Sequence, residues 1–134
     1  MEKFEVLEHK ADLKIRVFGR NKEELFQNAL LGMIAGLRPE RKTQSVKRKT
    51  RIEAFDLPAL LVDFLSEVLY LIQVNKEIYN KVKFKRLTDK ELEVELYGWK
   101  VEGFGEDIKA VTHHDLNVAK NENGVWEAVI LFDI

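Results

Sequence analysis

The chain has 134 residues, 46% hydrophobic and 34% charged, with 22 Lys and Arg against 23 Asp and Glu and a formal net charge of -1. That is about one domain's length, and the near-balance of charge excludes a protein governed by a basic field for nucleic acid or by an acidic tail. With no cysteine, a disulfide framework, a thiolate zinc site and a cysteine nucleophile are excluded together.

The first strong pattern is Leu13-Lys14-Ile15-Arg16-Val17-Phe18, whose period of two reads as a half-buried strand ending at Gly19. Phe4 to Leu7 reads as a shorter strand before it, with the polar link Glu8-His9-Lys10-Ala11-Asp12 between. Asn21 has the chemistry of a helix N-cap, Glu24 stands at capping-box spacing, and Leu25, Phe26, Ala29, Leu30, Met33, Ile34 and Leu37 form a broad apolar stripe. Gly36, with Pro39 soon after, is the expected stop. Residues 38–51 then carry seven Lys and Arg against Glu40 alone, and Ser45 to Phe55, although its alternation is poor, reads as a strand with a solvated face, an edge guarded by cations. Asp56-Leu57-Pro58 opens a second helix, whose apolar face runs from Leu60 to Ile72.

Two hairpins follow. Lys81, Lys83 and Lys85 alternate with Val82 and Phe84 before Thr88-Asp89-Lys90, and Glu91, Glu93 and Glu95 alternate with Leu92, Val94 and Leu96 after it, which predicts cross-strand charge pairing. The second hairpin turns at Asn121 to Gly124, and its outgoing strand, Val125 to Phe132, is apolar on nearly both faces and so predicted to be central. The order argues an α+β fold of one domain, 1–134, with an antiparallel or mixed sheet carrying two helices on one face. The apolar stretch in 57–74 is broken by Asp63, Ser66 and Glu67, and the N-terminus lacks an apolar signal core. The expectation is therefore a cytoplasmic protein with no membrane partner.

Few motifs carry chemistry. Gly98, Gly103 and Gly105 match neither a phosphate loop nor a dinucleotide fingerprint, and neither serine stands in a nucleophile elbow. Adjacent His113 and His114 on a strand would point to opposite faces, so a shared metal is not expected, and each histidine reads first as a structural residue. Segment 38–51 has the charge to track phosphates but only Phe55 as an aromatic, at its end, so the solvated-edge reading leads. The C-terminus is more unusual, because Asp133 and the α-carboxylate of Ile134 are adjacent. Should 13–18 lie antiparallel beside 125–132, Asp12 would join them, and such an all-oxygen group prefers Ca²⁺, Mg²⁺ or Mn²⁺. An aspartate that opens a strand is more often a turn residue, and spacing alone favours that reading.

Several segments in register resemble the archease family. Glu8-His9-Lys10-Ala11-Asp12 is similar to its His-Thr-Ala-Asp opening, Asn21 to Ala29 to its first helix, and Asp56 to Leu71 to its second. Ile108 to His114 is similar to its Ile-Lys-Ala-x-Thr-Tyr-His stretch, and Phe132-Asp133-Ile134 to its terminal Phe-Asp-Ile/Val. The resemblance implies a two-layer α+β sandwich, mainly antiparallel, with two helices on one face. It also implies a non-catalytic activator of the GTP-dependent RNA-splicing ligase of tRNA splicing, promoting guanylylation of the ligase and its multiple turnover. A divalent metal, most often calcium, is implied at Asp12, Asp133 and the Ile134 carboxylate, while His9, Lys109 and His114 are the implied partner-binding residues. RNA would be touched indirectly or weakly.

Three positions depart from the pattern: Lys10 for Thr, Lys14 where Gly is frequent, and His113 for Tyr. A cation at Lys10 or Lys14 is placed to pair with Asp12 and compete with a metal. The alternative function is an RNA-binding or chaperone-like module acting on RNA-modifying enzymes through segment 38–51.

Overall fold

In the computed structural model, which describes residues 1–113 and 116–134, the order is β1 (Phe4–His9), β2 (Asp12–Gly19), α1 (Lys22–Leu37), β3 (Pro39–Glu53), α2 (Leu57–Asn75), β4 (Glu77–Leu87), β5 (Glu91–Phe104), β6 (Ala110–Thr112), β7 (Val118–Lys120) and β8 (Trp126–Asp133). The fold is α+β, and every strand pairing among the described residues is antiparallel. The strands divide between two sheets where the sequence pattern suggests one. The first runs β1-β2-β8-β6, with β7 also on β8, and the second runs β3-β5-β4. The hairpin of β4 and β5 takes the basic strand β3 on its free side, and no ladder among the described residues joins that trio to β2 or β8.

Period-two burial explains the first sheet. Leu13, Ile15 and Val17 of β2, with Ala128, Ile130 and Phe132 of β8, are buried on one face. Asp12, Lys14 and Arg16 stand on the other, partly exposed. As predicted, β8 is central, with β2 on one side and β6 and β7 on the other. Burial of each large apolar side chain here contributes about 1.5–3 kcal/mol.

Both helices begin as the sequence predicts. Asn21 Oδ1 accepts from the Glu24 amide at 2.8 Å, and Asp56 Oδ1 from the Ala59 amide at 2.8 Å. The first helix passes through its expected stop, and the left-handed residue that ends it is Arg38, at φ 47°. Gly36 instead lets α1 lie close on β2. A Cβ there would meet a Leu13 methyl, and one at Gly32 would stand 2.7 Å from Ile15 Cδ1. The Phe26 and Phe64 rings, 5.7 Å apart and tilted, join α1 to α2. By length and apolarity α2 could cross a membrane, but most of its apolar side chains are buried against α1 and the strands of both sheets.

Candidate functional site

The antiparallel ladder of β2 and β8 puts the first residue of one opposite the last of the other, so Asp12 and Asp133 are direct register partners. On the far side of β8, Ala110 of β6 is opposite Asp133, and the Lys109 amide donates to the Asp133 carbonyl at 2.7 Å. Three strands thus end at one corner, on the sheet face turned away from the buried Leu13 and Phe132. Opposed residues on adjacent strands project to the same face. The two aspartates therefore share it, with Ile134 next along the chain.

Two carboxylates so placed repel unless something positive joins them. Neither Asp12 nor Asp133 makes a side-chain hydrogen bond or ion pair with another described residue. Lys14 shares the Asp12 face, yet neither it nor Lys10 comes within ion-pair distance of Asp12. His9 is opposite Leu13 on β1, exposed near the same corner, and Lys109 is exposed beside β6. His113 is also exposed, and His114 lies outside the described residues.

The donor chemistry is all hard oxygen, which suits Ca²⁺, Mg²⁺ or Mn²⁺ rather than a thiolate or imidazole metal. Among the described residues no three His, Asp or Glu side chains stand close enough together to hold a metal ion. Asp12 and Asp133 supply two carboxylates, and Ile134 follows Asp133 directly in the chain.

Segment 38–51 forms most of β3, an edge strand of the second sheet as predicted, although the strand starts at Pro39, ahead of the predicted Ser45. Much of its charge is spent on glutamates: Arg38 on Glu106, Arg41 on Glu102, Lys47 on Glu95, Arg48 on Glu77 and Arg51 on Glu53 and Glu91. The predicted Lys-to-Glu pairing of the hairpin is present too, with Lys83 opposite Glu95 and Lys85 Nζ 3.4 Å from its carboxylate. Lys47 and Lys85 together hold the Glu95 carboxyl down to about 2.

Sequence reasoning missed one cluster. Arg48 Nε and Nη2 donate to Glu77 Oε1 and Oε2, both at 2.9 Å, while the Tyr79 hydroxyl donates to Oε1 at 2.7 Å. Glu77 is fully buried, and the Arg48 fork holds its carboxyl below the usual range against the opposing effect of burial. Burial, and then the hydrogen bond to Glu77, push the Tyr79 phenol well above its ordinary value. The only signal in the sequence was a glutamate opening the apolar run Ile78-Tyr79.

Residues 4–134 match the model of the Archease protein family. Protein archease of Methanosarcina mazei is 34% identical, over 99% of this chain and 97% of that protein. Protein archease of Pyrococcus furiosus is 32% identical over the whole of both. The solution structure of protein 1598 of Methanobacterium thermoautotrophicum superposes over the whole of both chains with a TM-score of 0.73 at 25% identity. A crystal structure from Thermotoga maritima, described as an archease and possible chaperone, covers 97% of this chain with a TM-score of 0.74 at 19% identity and shares the fold.

Proposed function

This chain belongs to the archease family, and we propose that it is a non-catalytic activator of a GTP-dependent RNA-splicing ligase, acting through a divalent cation at the β2–β8 corner. The observation that carries this is the in-register opposition of Asp12 and Asp133, two carboxylates that share a sheet face and have no side-chain partner among the described residues. Asp12, Asp133 and the Ile134 carboxylate would hold the ion. When bound, such a cation offers open coordination positions to a partner's carboxylate or phosphate oxygen.

The chain's own residues do the rest. The β2–β8–β6 ladder fixes the two aspartates, and the Lys109 amide ties Asp133 in place through its carbonyl. His9 and Lys109 present polar, exposed groups beside the corner, where they would meet the ligase. Lys10 and Lys14, although cationic, make no ion pair with Asp12, which has none among the described residues.

The test is RNA joining by the cognate ligase with GTP, under single and multiple turnover, with wild type, Asp12→Asn and Asp133→Asn, each with a native C-terminus. Wild type should restore turnover and both variants should fail while remaining folded. Calcium should also raise the melting temperature of wild type but not of Asp12→Asn, since a ligand that binds only the folded state at a hundredfold excess over its Kd adds about 2.7 kcal/mol. Unchanged ligation with wild type sinks the activator reading. Protection of the ligase from aggregation, with turnover per active molecule unaltered, would favour a chaperone-like role.

A further inference from the structure

We propose that the outer face of the second sheet is a binding platform for single-stranded nucleic acid, with Trp99 as its stacking residue and the lysines of β3 and β4 as its phosphate contacts. The central strand of β3-β5-β4 is β5. Leu92, Val94 and Leu96 face the core, so Glu95, Tyr97 and Trp99 alternate onto the outer side. Two aromatic side chains spaced i and i+2 on a central strand can present their rings to successive bases, because every base has a π-face.

The register surrounds these rings with cations. Lys47 of β3 and Lys81 of β4 are both opposite Tyr97, and Lys49 and Lys83 are both opposite Glu95. With Lys85, five lysines stand around one glutamate. Lys49, Lys81 and Lys83 make no ion pair among the described residues, so their charge is available to phosphates. Lys47 lies 5.5 Å over the Tyr97 ring and covers it. Trp99 has Ser45 as its β3 neighbour, is 36% exposed, and has no aromatic or cation against its ring among the described residues. Beside it is an open hollow of about 460 Å³, lined by Ser45, Lys47, Asn80, Lys81, Tyr97 and Trp99. An acidic protein would use the lysines but would leave the exposed part of the indole unused, so a polynucleotide fits the face better.

This face lies on the other sheet from Asp12 and Asp133, so the two sites are separable by mutation. The experiment is fluorescence anisotropy of the full chain with labelled oligouridylate, the matching single-stranded DNA and an RNA duplex, over a salt series. Wild type should bind the single strand, more weakly as salt rises, and prefer it to duplex. Trp99→Ala should weaken binding by about tenfold and Trp99→Phe should restore most of it. Lys81→Ala with Lys83→Ala should make the slope of log affinity against log salt shallower by about 1.4. Asp12→Asn should bind as wild type does. Equal binding of RNA and DNA single strands supports a platform that reads bases and phosphates, and preference for RNA supports one that also reads the 2′-hydroxyl. The proposal is overturned if folded Trp99→Ala binds as wild type does, if duplex binds as tightly as single strand, or if polyglutamate displaces RNA as well as unlabelled RNA does.

Discussion

Replacing Arg48 by Met would remove the half-exposed partner of the buried Glu77 carboxylate and break the ion pair that ties β3 to β4. The cost can be worked from the contacts. Two charge-assisted hydrogen bonds of 2.9 Å reach Glu77, each worth about 1.5–3 kcal/mol. Breaking a fully buried pair costs about 3–5 kcal/mol. The Arg48 side chain is 40% exposed, so water can take part of its place, and Tyr79 and Lys100 remain beside Glu77. A discount for that screening leaves about 2–3 kcal/mol, or a fall of roughly 8 °C in melting temperature for a domain of this size. Urea unfolding at neutral pH, followed by circular dichroism, would measure it. The combination Arg48→Met, Glu77→Leu and Tyr79→Phe should recover most of the loss, because no buried polar group is then left without a partner. If Arg48→Met costs less than about 0.5 kcal/mol, the pair behaves as an ordinary surface contact and the reasoning is refuted.

Two further outcomes are expected. Glu95 is lowered from an ordinary 4.5 to about 2 by Lys47 first and then Lys85, so its contribution to stability is complete above the unfolded value and is lost as pH falls from about 4.5 through about 2; Glu95→Gln should flatten that limb of a urea-midpoint profile, and identical limbs would show that the lysines do not stabilise the carboxylate. At Gly98 an added Cβ would collide with the Ile78 carbonyl on β4, a backbone atom that cannot swing aside, so Gly98→Ala should cost about 3 kcal/mol. Gly103→Ala, which would meet only the Glu40 side chain at 3.4 Å, should be nearly neutral in the same melt, and equal effects would contradict this account.

How much was legible follows from the range over which each signal acts. Strand β2, both helix caps and the central position of β8 are written in neighbouring residues: alternation at Leu13, Ile15 and Val17, Asn21 before Glu24, Asp56 before Pro58, and an apolar run on both faces. The end of α1 lies beyond Gly36 because a glycine there has two uses, a left-handed turn or a close approach. Only the distance to Leu13, twenty-three positions earlier, decides between them. The division into two sheets was hidden for a related reason. A strand's period tells which residues share a face but not which strand lies beside it.

The same limit applies to the sites. Opposition of Asp12 to Asp133 could be stated beforehand only as a condition, that β2 lies antiparallel to β8, and the ladder meets it residue for residue. No comparable condition was available for the second sheet. Segment 38–51 contains no aromatic within it, which counted against base stacking while the segment stood alone. Pairing with β5 changes the chemistry of that strand without changing a residue of it. Lys47 comes to lie over Tyr97, and Trp99, opposite Ser45 on β3 and Ile78 on β4, stays partly exposed. The glutamates that neutralise much of β3 arrive by the same ladder, so charge alone is a poor guide to what this face can bind. The lysines of β4 that make no ion pair among the described residues, together with one partly exposed aromatic ring, are what set it apart from a merely solvated edge.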